Sequence, residues 1–375
     1  MDWLAFVALL AWAVLLAGRG RFWLIERQPI PPIPAEWPEV VAVIPARDEA
    51  EGIGQTVASL LAQDYPGRFT LIVVDDHSSD GTAEIARAAA NGSDRLHVVT
   101  GEELLRGWTG KVWAMHQGLM AADEIAPNAR HVLFTDADIR HSKGELALLV
   151  ARAEAERLDL ASLMVRLNCE SPPERALIPA FVFFFRMLYP FRWIAQPSSR
   201  TAGAAGGVML VRREAIAAIG GMAALKGALI DDCTLARRIK TAKGRLWLGL
   251  AEETRSLRVY KGWAEPWDMI ARSAYDQLEH SPLLLAGTVA SMLLVFVAPP
   301  LLALAGLVKG WLAWGAMTAA YMPMVRFYRL PHGWALTLPL VALVYLGATV
   351  HSAIRHHLGR GGNWKGRFEA GRTER

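Results

Sequence analysis

FTDADIRHS, residues 134–142, closes an apolar run with two carboxylates two positions apart, Asp136 and Asp138, and follows them with Arg140 and His141. Successive strand residues point to opposite faces, so the two acids share a face if the strand persists that far. Like charges that close raise each other's pKa unless a cation sits between them. The pair therefore needs a partner, and the surrounding chain says which kind.

Working outward, short apolar strands alternate with helical segments from Val40 onward, the pattern of an α/β domain with a mostly parallel, Rossmann-like sheet. Strands are expected at 40–46, 70–76, 96–101, 131–138, 161–167 and 207–213. Ile53, Val57, Leu60 and Leu61 recur on one helix face, and a second helix is expected after Asp80 as N-cap. Ligands of such sheets bind beyond the carboxyl ends of the strands, where both Asp75-Asp76 and Asp136-Asp138 fall.

The 375 residues are 53% hydrophobic, which points to a membrane component, and carry a net charge of +4. Much of the Arg and Lys lies beside apolar runs, where it reads as a topology signal, so a nucleic-acid partner is disfavoured. Two cysteines, Cys169 and Cys233, make no disulfide framework and no zinc spacing, as suits a reducing cytosol. Residues 1–27 read as an N-terminal membrane anchor, its apolar run 3–18 followed by Arg19, Arg21 and Arg27, and 28–38 as a stiff proline-rich linker. The catalytic domain is expected over 39–281, with the aromatic, interrupted stretch 176–195 lying in the membrane interface, a buried hydrophobic helix being the alternative. Apolar stretches at 283–308, 311–325 and 334–350 place C-terminal transmembrane helices in 282–352, ahead of a basic cytosolic tail, 353–375. Basic residues at 326–332 and 355–367 both favour the cytoplasm, so one of the three stretches is expected not to span.

Carboxylates beside a nucleoside diphosphate make sense with a divalent cation between them, and Mg²⁺ or Mn²⁺ suits carboxylate and phosphate oxygens. Asp138, with Asp136, is the expected metal ligand. In VIPARDEAEGI, 43–53, Arg47 can meet phosphate or a base edge, and the acids precede a helix N-terminus. In VVDDHSSDGT, 73–82, Asp75 and Asp76 can accept from uracil or ribose. In GWTGKVWAMHQG, 107–118, Lys111 puts a cation at a helix start, suited to a diphosphate. In GALIDDCTLARRIK, 227–240, Asp231 and Asp232 open a helix; capping explains one of them and leaves the other for a different task. Each motif alone could be an ordinary turn or cap.

In this order and spacing, IPARDEAEGI, VVDDHSSDGT, GWTGK, FTDADIRHS, GGVMLVRREAIAAIGG and IDDCTLARRIK resemble family 2 glycosyltransferases of the GT-A fold, over residues 40–280. The flanking apolar segments and the NWKGR tail look most like the membrane-bound, lipid-glycosylating branch, and AFVFFFRMLYPF with LIDDCTLARRIK is similar to the bacterial hopanoid-biosynthesis-associated enzymes. The resemblance implies a multi-pass protein of the bacterial inner membrane with a cytosolic catalytic domain. It would move one sugar from a nucleotide sugar, with uridine preferred, to a lipid acceptor such as a hopanoid. It also implies roles: Asp75 or Asp76 toward uridine, with Pro45, Arg47 and Glu49 lining the nucleotide pocket. Lys111 would face the base or diphosphate, Asp136 the ribose, and Asp138 the metal. Asp232 would be the catalytic base, with Asp231 in the place of the family's Glu. Processive members carry Q-x-x-R-W where this chain reads ARSAYDQLEHS, 271–281, which favours a single transfer. The alternatives are a polyprenyl-phosphate glycosyltransferase, whose ionised acceptor needs no base, and a metal-dependent lipid phosphohydrolase.

Overall fold

Val40–Ala46 is a valine-rich run with all seven residues buried, and it forms strand β1. The other strands are β2 (Phe69–Asp75), β3 (Leu96–Thr100), β4 (His131–Thr135), β5 (Ile139–Arg140), β6 (Leu160–Arg166), β7 (Val208–Arg212) and β8 (Leu246–Ser256). The computed structural model describes residues 1–358 and the backbone of 363–364 and 367–368; the basic tail beyond 358 otherwise lies outside the described residues. The chain divides into two compact units, and the sheet belongs to the one made of 28–167 and 193–258.

The sheet order is β3-β2-β1-β4-β7-β6-β8-β5. Strands β3, β2, β1 and β4 run parallel, β7 is antiparallel to both its neighbours, β8 is parallel to β6, and β5 closes the edge antiparallel to β8. One face buries Val40, Ala42 and Ile44 against Ile53, Val57 and Leu60 of the helix Ile53–Leu61. The helix Gly110–Ile125 covers the other face so closely that a Cβ on Gly118 would sit 2.3 Å from Val43 Cγ1. Chain order reverses between β1 and β4, which opens a crevice at the carboxyl ends of these strands. Their ladder stops at Val43 and Phe134, and Pro45 has no N–H with which to extend it.

Three local readings change. Strand β4 ends at Thr135, short of the expected 138, so Asp136 and Asp138 do not share a strand face but occupy the turn into β5. Aspartate is a poor strand residue, and the Asp138 carbonyl accepts instead from Leu257 N–H at 2.7 Å. Gly81, in left-handed conformation, is the N-cap of Thr82–Ala89, while Asp80 accepts from Thr82 N–H at 3.1 Å and Ala50 N–H at 2.9 Å. Strand β8 went unforeseen because Glu252 and Glu253 interrupt its apolar run.

The second unit, residues 1–27, 168–192 and 259–361, is helical where described. It contains Asp2–Gly18, Pro172–Leu188, Ala264–Ser273, a continuous helix 282–304, Val308–Phe327 and the helix His332–His357. Only 282–304 and 332–357 among the described residues are long and apolar enough to cross a bilayer; Asp2–Gly18 is a shorter apolar helix of 17 residues. The 282–304 helix carries one π turn, Leu293–Val297, and buried Trp12 donates its indole N–H to the Val295 carbonyl there at 2.8 Å. The segment expected at a membrane interface is largely buried within this unit. Phe183 stacks edge-on to Tyr321, Phe184 to Phe296 and Tyr345, and Tyr345 donates to the Leu177 carbonyl at 2.8 Å. Its N-terminus is a capping box in which buried Glu174 accepts the N–H groups of Ser171, Glu170 and Tyr260. Residues 168–192 and 259–281 thus group with the apolar helices and not with the sheet unit of the expected 39–281 domain.

Candidate active site

The crevice residues come from the carboxyl ends of β1, β2 and β4 and from the start of antiparallel β7, which lies at the same edge because Thr135 pairs with Val208. The loop after β1 is laced to the loop after β2. Asp48 takes a left-handed conformation at φ 49° and accepts from Ser79 N–H at 2.8 Å, while Glu49 N–H donates to Thr82 Oγ1 at 2.8 Å. Arg47 reaches across to donate to the Asp76 carbonyl at 2.5 Å, with the Asp76 carboxylate 3.7 Å away. Beside it, Asp75 Oδ1 is buried with no hydrogen-bond partner among the described residues. Gly101 packs so near that a Cβ there would lie 3.2 Å from the Asp75 carbonyl.

Lys111 stands in the first turn of Gly110–Ile125, where the helix dipole disfavours a cation. Aspartates compensate: its ammonium lies 2.8 Å from Asp136 Oδ1 and 3.2 Å from Asp231 Oδ2. Burial alone would lower the lysine's pKa, but Asp136, Asp231 and Asp232 outweigh it and hold the charged form well beyond the usual range. The pair sought in the sequence thus finds its cation 25 positions upstream.

Asp232 is clamped by two backbone amides, Gly206 N–H to Oδ2 at 2.9 Å and Cys233 N–H to Oδ1 at 2.6 Å. A Cβ on Gly206 would sit 3.2 Å from Lys111 Nζ and 3.5 Å from Asp232 Oδ2, so this glycine lies against both side chains. Desolvation, then Asp231, pushes the Asp232 carboxyl up to about 6, against Lys111 and the two amides. Asp138 is likewise pushed up to about 6, by desolvation first and then by Asp136 and Glu49, with Arg258 and Lys111 opposing. Gly52 backs Asp138 directly: a Cβ on it would lie 3.1 Å from Asp138 Cα.

No three His, Cys, Asp or Glu side chains among the described residues converge as a metal cage. Asp136 is engaged by Lys111, whereas Asp138 is left with excess negative charge nearby. That donor set suits an ion held by one or two carboxylates plus substrate phosphates, the usual manner of Mg²⁺.

Asp75, Asp76, Asp136 and Asp138 lie at or just after the carboxyl ends of β2 and β4, and Arg47 and Glu49 lie in the loop after β1. Lys111 meets Asp136 and Asp231 directly and feels the charge of Asp232, Asp138 feels the charges of Asp136 and Glu49, and Arg47 meets Asp76. Sequence reading did not single out Gly206, Gly52 or Arg258. The Gly-Gly pair before β7 was the available signal for the first; nothing local marks Arg258 as facing Asp138.

The Glycosyl transferase family 2 profile matches residues 41–220. The succinoglycan biosynthesis protein ExoU of Rhizobium meliloti is 43% identical over 65 residues, 17% of this chain and 18% of that protein. TuaG of Bacillus subtilis, a proposed teichuronic acid biosynthesis glycosyltransferase, is 34% identical over 111 residues, 29% of this chain and 40% of that protein. The chain therefore aligns with less than half the length of either relative. A mannosyltransferase of Pyrobaculum calidifontis, solved in complex with GDP-Man and Mn²⁺, superposes with a TM-score of 0.59 at 19% identity, covering 96% of this chain and 99% of that one, a likeness of fold. The sheet order, the crevice at its switch point and these matches lead to one conclusion: residues 41–220 are a family 2 glycosyltransferase domain with the GT-A fold.

Proposed function

We propose that the chain transfers one sugar, with inversion, from a nucleotide sugar to a hydroxyl of a membrane lipid, hopanoids being the class its motifs resemble. The observation that carries this reading is the setting of Asp232, aimed by two amides and given the basicity of a carboxylate with a pKa of about 6. An alcohol is about as weak an acid as water, about 15.7. Asp232 therefore takes the proton as the acceptor oxygen bonds to C1, and the bond from C1 to the diphosphate breaks in the same displacement.

The other residues act on the donor. Asp75 Oδ1, a buried acceptor lacking a partner among the described residues, matches a base N–H or ribose hydroxyl, with Asp76, Arg47, Glu49 and Pro45 shaping the same pocket. Lys111 supplies positive charge toward the departing diphosphate, and Asp136 and Asp231 keep its ammonium in place. Asp138, with Asp136, would hold Mg²⁺ or Mn²⁺, which when bound neutralises charge building on the phosphate oxygens. The similar fold solved in complex with GDP-Man and Mn²⁺ supports a divalent ion and adds guanosine sugars to the uridine sugars as donors to assay.

The lipid acceptor is supported by the 282–304 and 332–357 helices, which suit a multi-pass protein of the bacterial inner membrane whose catalytic unit faces the cytosol. The apolar helix Asp2–Gly18 would add an N-terminal anchor. Asp232→Asn is expected to abolish transfer from radiolabelled nucleotide sugar to extracted lipid while nucleotide binding stays within a few fold. Near-normal turnover would remove Asp232 as base and favour a phosphate acceptor, as in polyprenyl-phosphate glycosyltransferases. Phosphate release without any sugar donor would point instead to a lipid phosphohydrolase.

A further inference from the structure

The helix Val308–Phe327 turns one face, with Ala313, Met317, Ala320, Tyr321 and Met324, into its own unit. Its other face floors a groove of about 730 Å³, in the size range of small-molecule sites. Trp311, Gly315, Ala319, Met322 and Arg326 follow one another along this floor at three- and four-residue spacing, with Trp314 beside Gly315, while Trp23 and Leu336 form walls. From Trp311 to Arg326 the helix rises about 22 Å. One leaflet of a bilayer with its head groups is about 20–22 Å deep.

The groove is apolar except for Thr318, whose hydroxyl is spent on the Trp314 carbonyl at 2.9 Å, and for the Arg326 end. Residues 281–358 contain no Asp or Glu at all. Of the cations in that stretch, Lys309 pairs with Asp2 and Arg355 with Asp268, whereas neither Arg326 nor Arg329 has a carboxylate partner among the described residues. A long apolar channel ending in unneutralised guanidinium charge is complementary to an amphiphile with one negative head. The floor is also open: a Cβ added to Gly315 would meet nothing within 4 Å.

We propose that this groove binds one anionic phospholipid, an acyl chain lying along Trp311, Trp314, Gly315 and Ala319 and the phosphate resting on Arg326. The site is independent of the sugar-transfer reading and uses none of its residues. Two or three of the chain's 14 tryptophans would touch the lipid, which provides the readout.

The full chain in neutral detergent micelles would be titrated with dibrominated phosphatidylglycerol and, separately, dibrominated phosphatidylcholine, following quenching of tryptophan fluorescence. Expected is a saturable component at a lipid-to-detergent ratio at least fivefold lower for phosphatidylglycerol. Arg326→Gln should erase the head-group preference, and Gly315→Phe should remove the saturable component for both lipids. Ala319→Phe serves the same purpose should Gly315→Phe fail to fold by circular dichroism. Equal quenching by the two lipids in the native chain, or saturable quenching that survives a folded blocking variant, would overturn the proposal.

Discussion

Asp138 holds its proton more tightly in the folded chain than in the unfolded one, where its value is near 3.8. Between about pH 4 and 6 the native state binds a proton that the unfolded state has released, so this group's contribution to stability falls as pH rises through that window and stays reduced above it. Asp138→Asn is therefore expected to raise the thermal midpoint of the metal-free protein at pH 7, by roughly 1 °C for about 1 kcal/mol after solvent screening. At pH 4 the gain should vanish. An unchanged difference at both pH values in a calorimetric scan would show that Asp138 is not desolvated as described. The gain at pH 7 would come with weaker metal-dependent donor binding, since active-site charge is commonly kept at a cost in stability.

At the scale of elements, the helix Gly110–Ile125 matters because it carries Lys111 to three aspartates from other parts of the chain. Its height above the sheet is set by Gly118, whose missing side chain lets backbone approach Val43 and Val74. Gly118→Ala would place a methyl group 2.3 Å from Val43 Cγ1 and 3.0 Å from Val74 Cγ2. The helix must lift or the valines must leave their rotamers, at a cost of about 1–3 kcal/mol. Denaturant unfolding should show that loss. Nucleotide affinity should also fall several-fold, because Lys111 moves with its helix. A variant as stable as the native chain would mean the valines yield freely.

For the molecule as a whole, the helical unit is assembled from three separated segments, so no single cut isolates the sheet unit. Truncation after His280 would leave Phe183 and Phe184 without Tyr321, Phe296 and Tyr345, and Trp12 without the Val295 carbonyl. Buried aromatic surface of that size drives association once exposed. The truncated chain is expected in the void volume on size exclusion, even though every residue of the crevice is retained. A monodisperse, nucleotide-binding fragment would refute the packing of 172–188 described here.

Strands β1 to β4, β6 and β7, the helix Ile53–Leu61 and the crevice acids were legible in the sequence because each is a short-range property: hydrophobic period, turn chemistry, and acids at strand ends. Strand β8 was not, since its two glutamates mask a pairing made only by a distant partner. For 176–195 the sequence left interface and buried helix both open, as an apolar aromatic run reads alike whether lipid or protein covers it. The link between Lys111, Asp136 and Asp231, the Gly206 amide on Asp232, and the raised carboxyls of Asp138 and Asp232 were decided only by tertiary structure. Desolvation and Coulomb interaction act through space, and the groups that meet here lie up to about 120 residues apart along the chain.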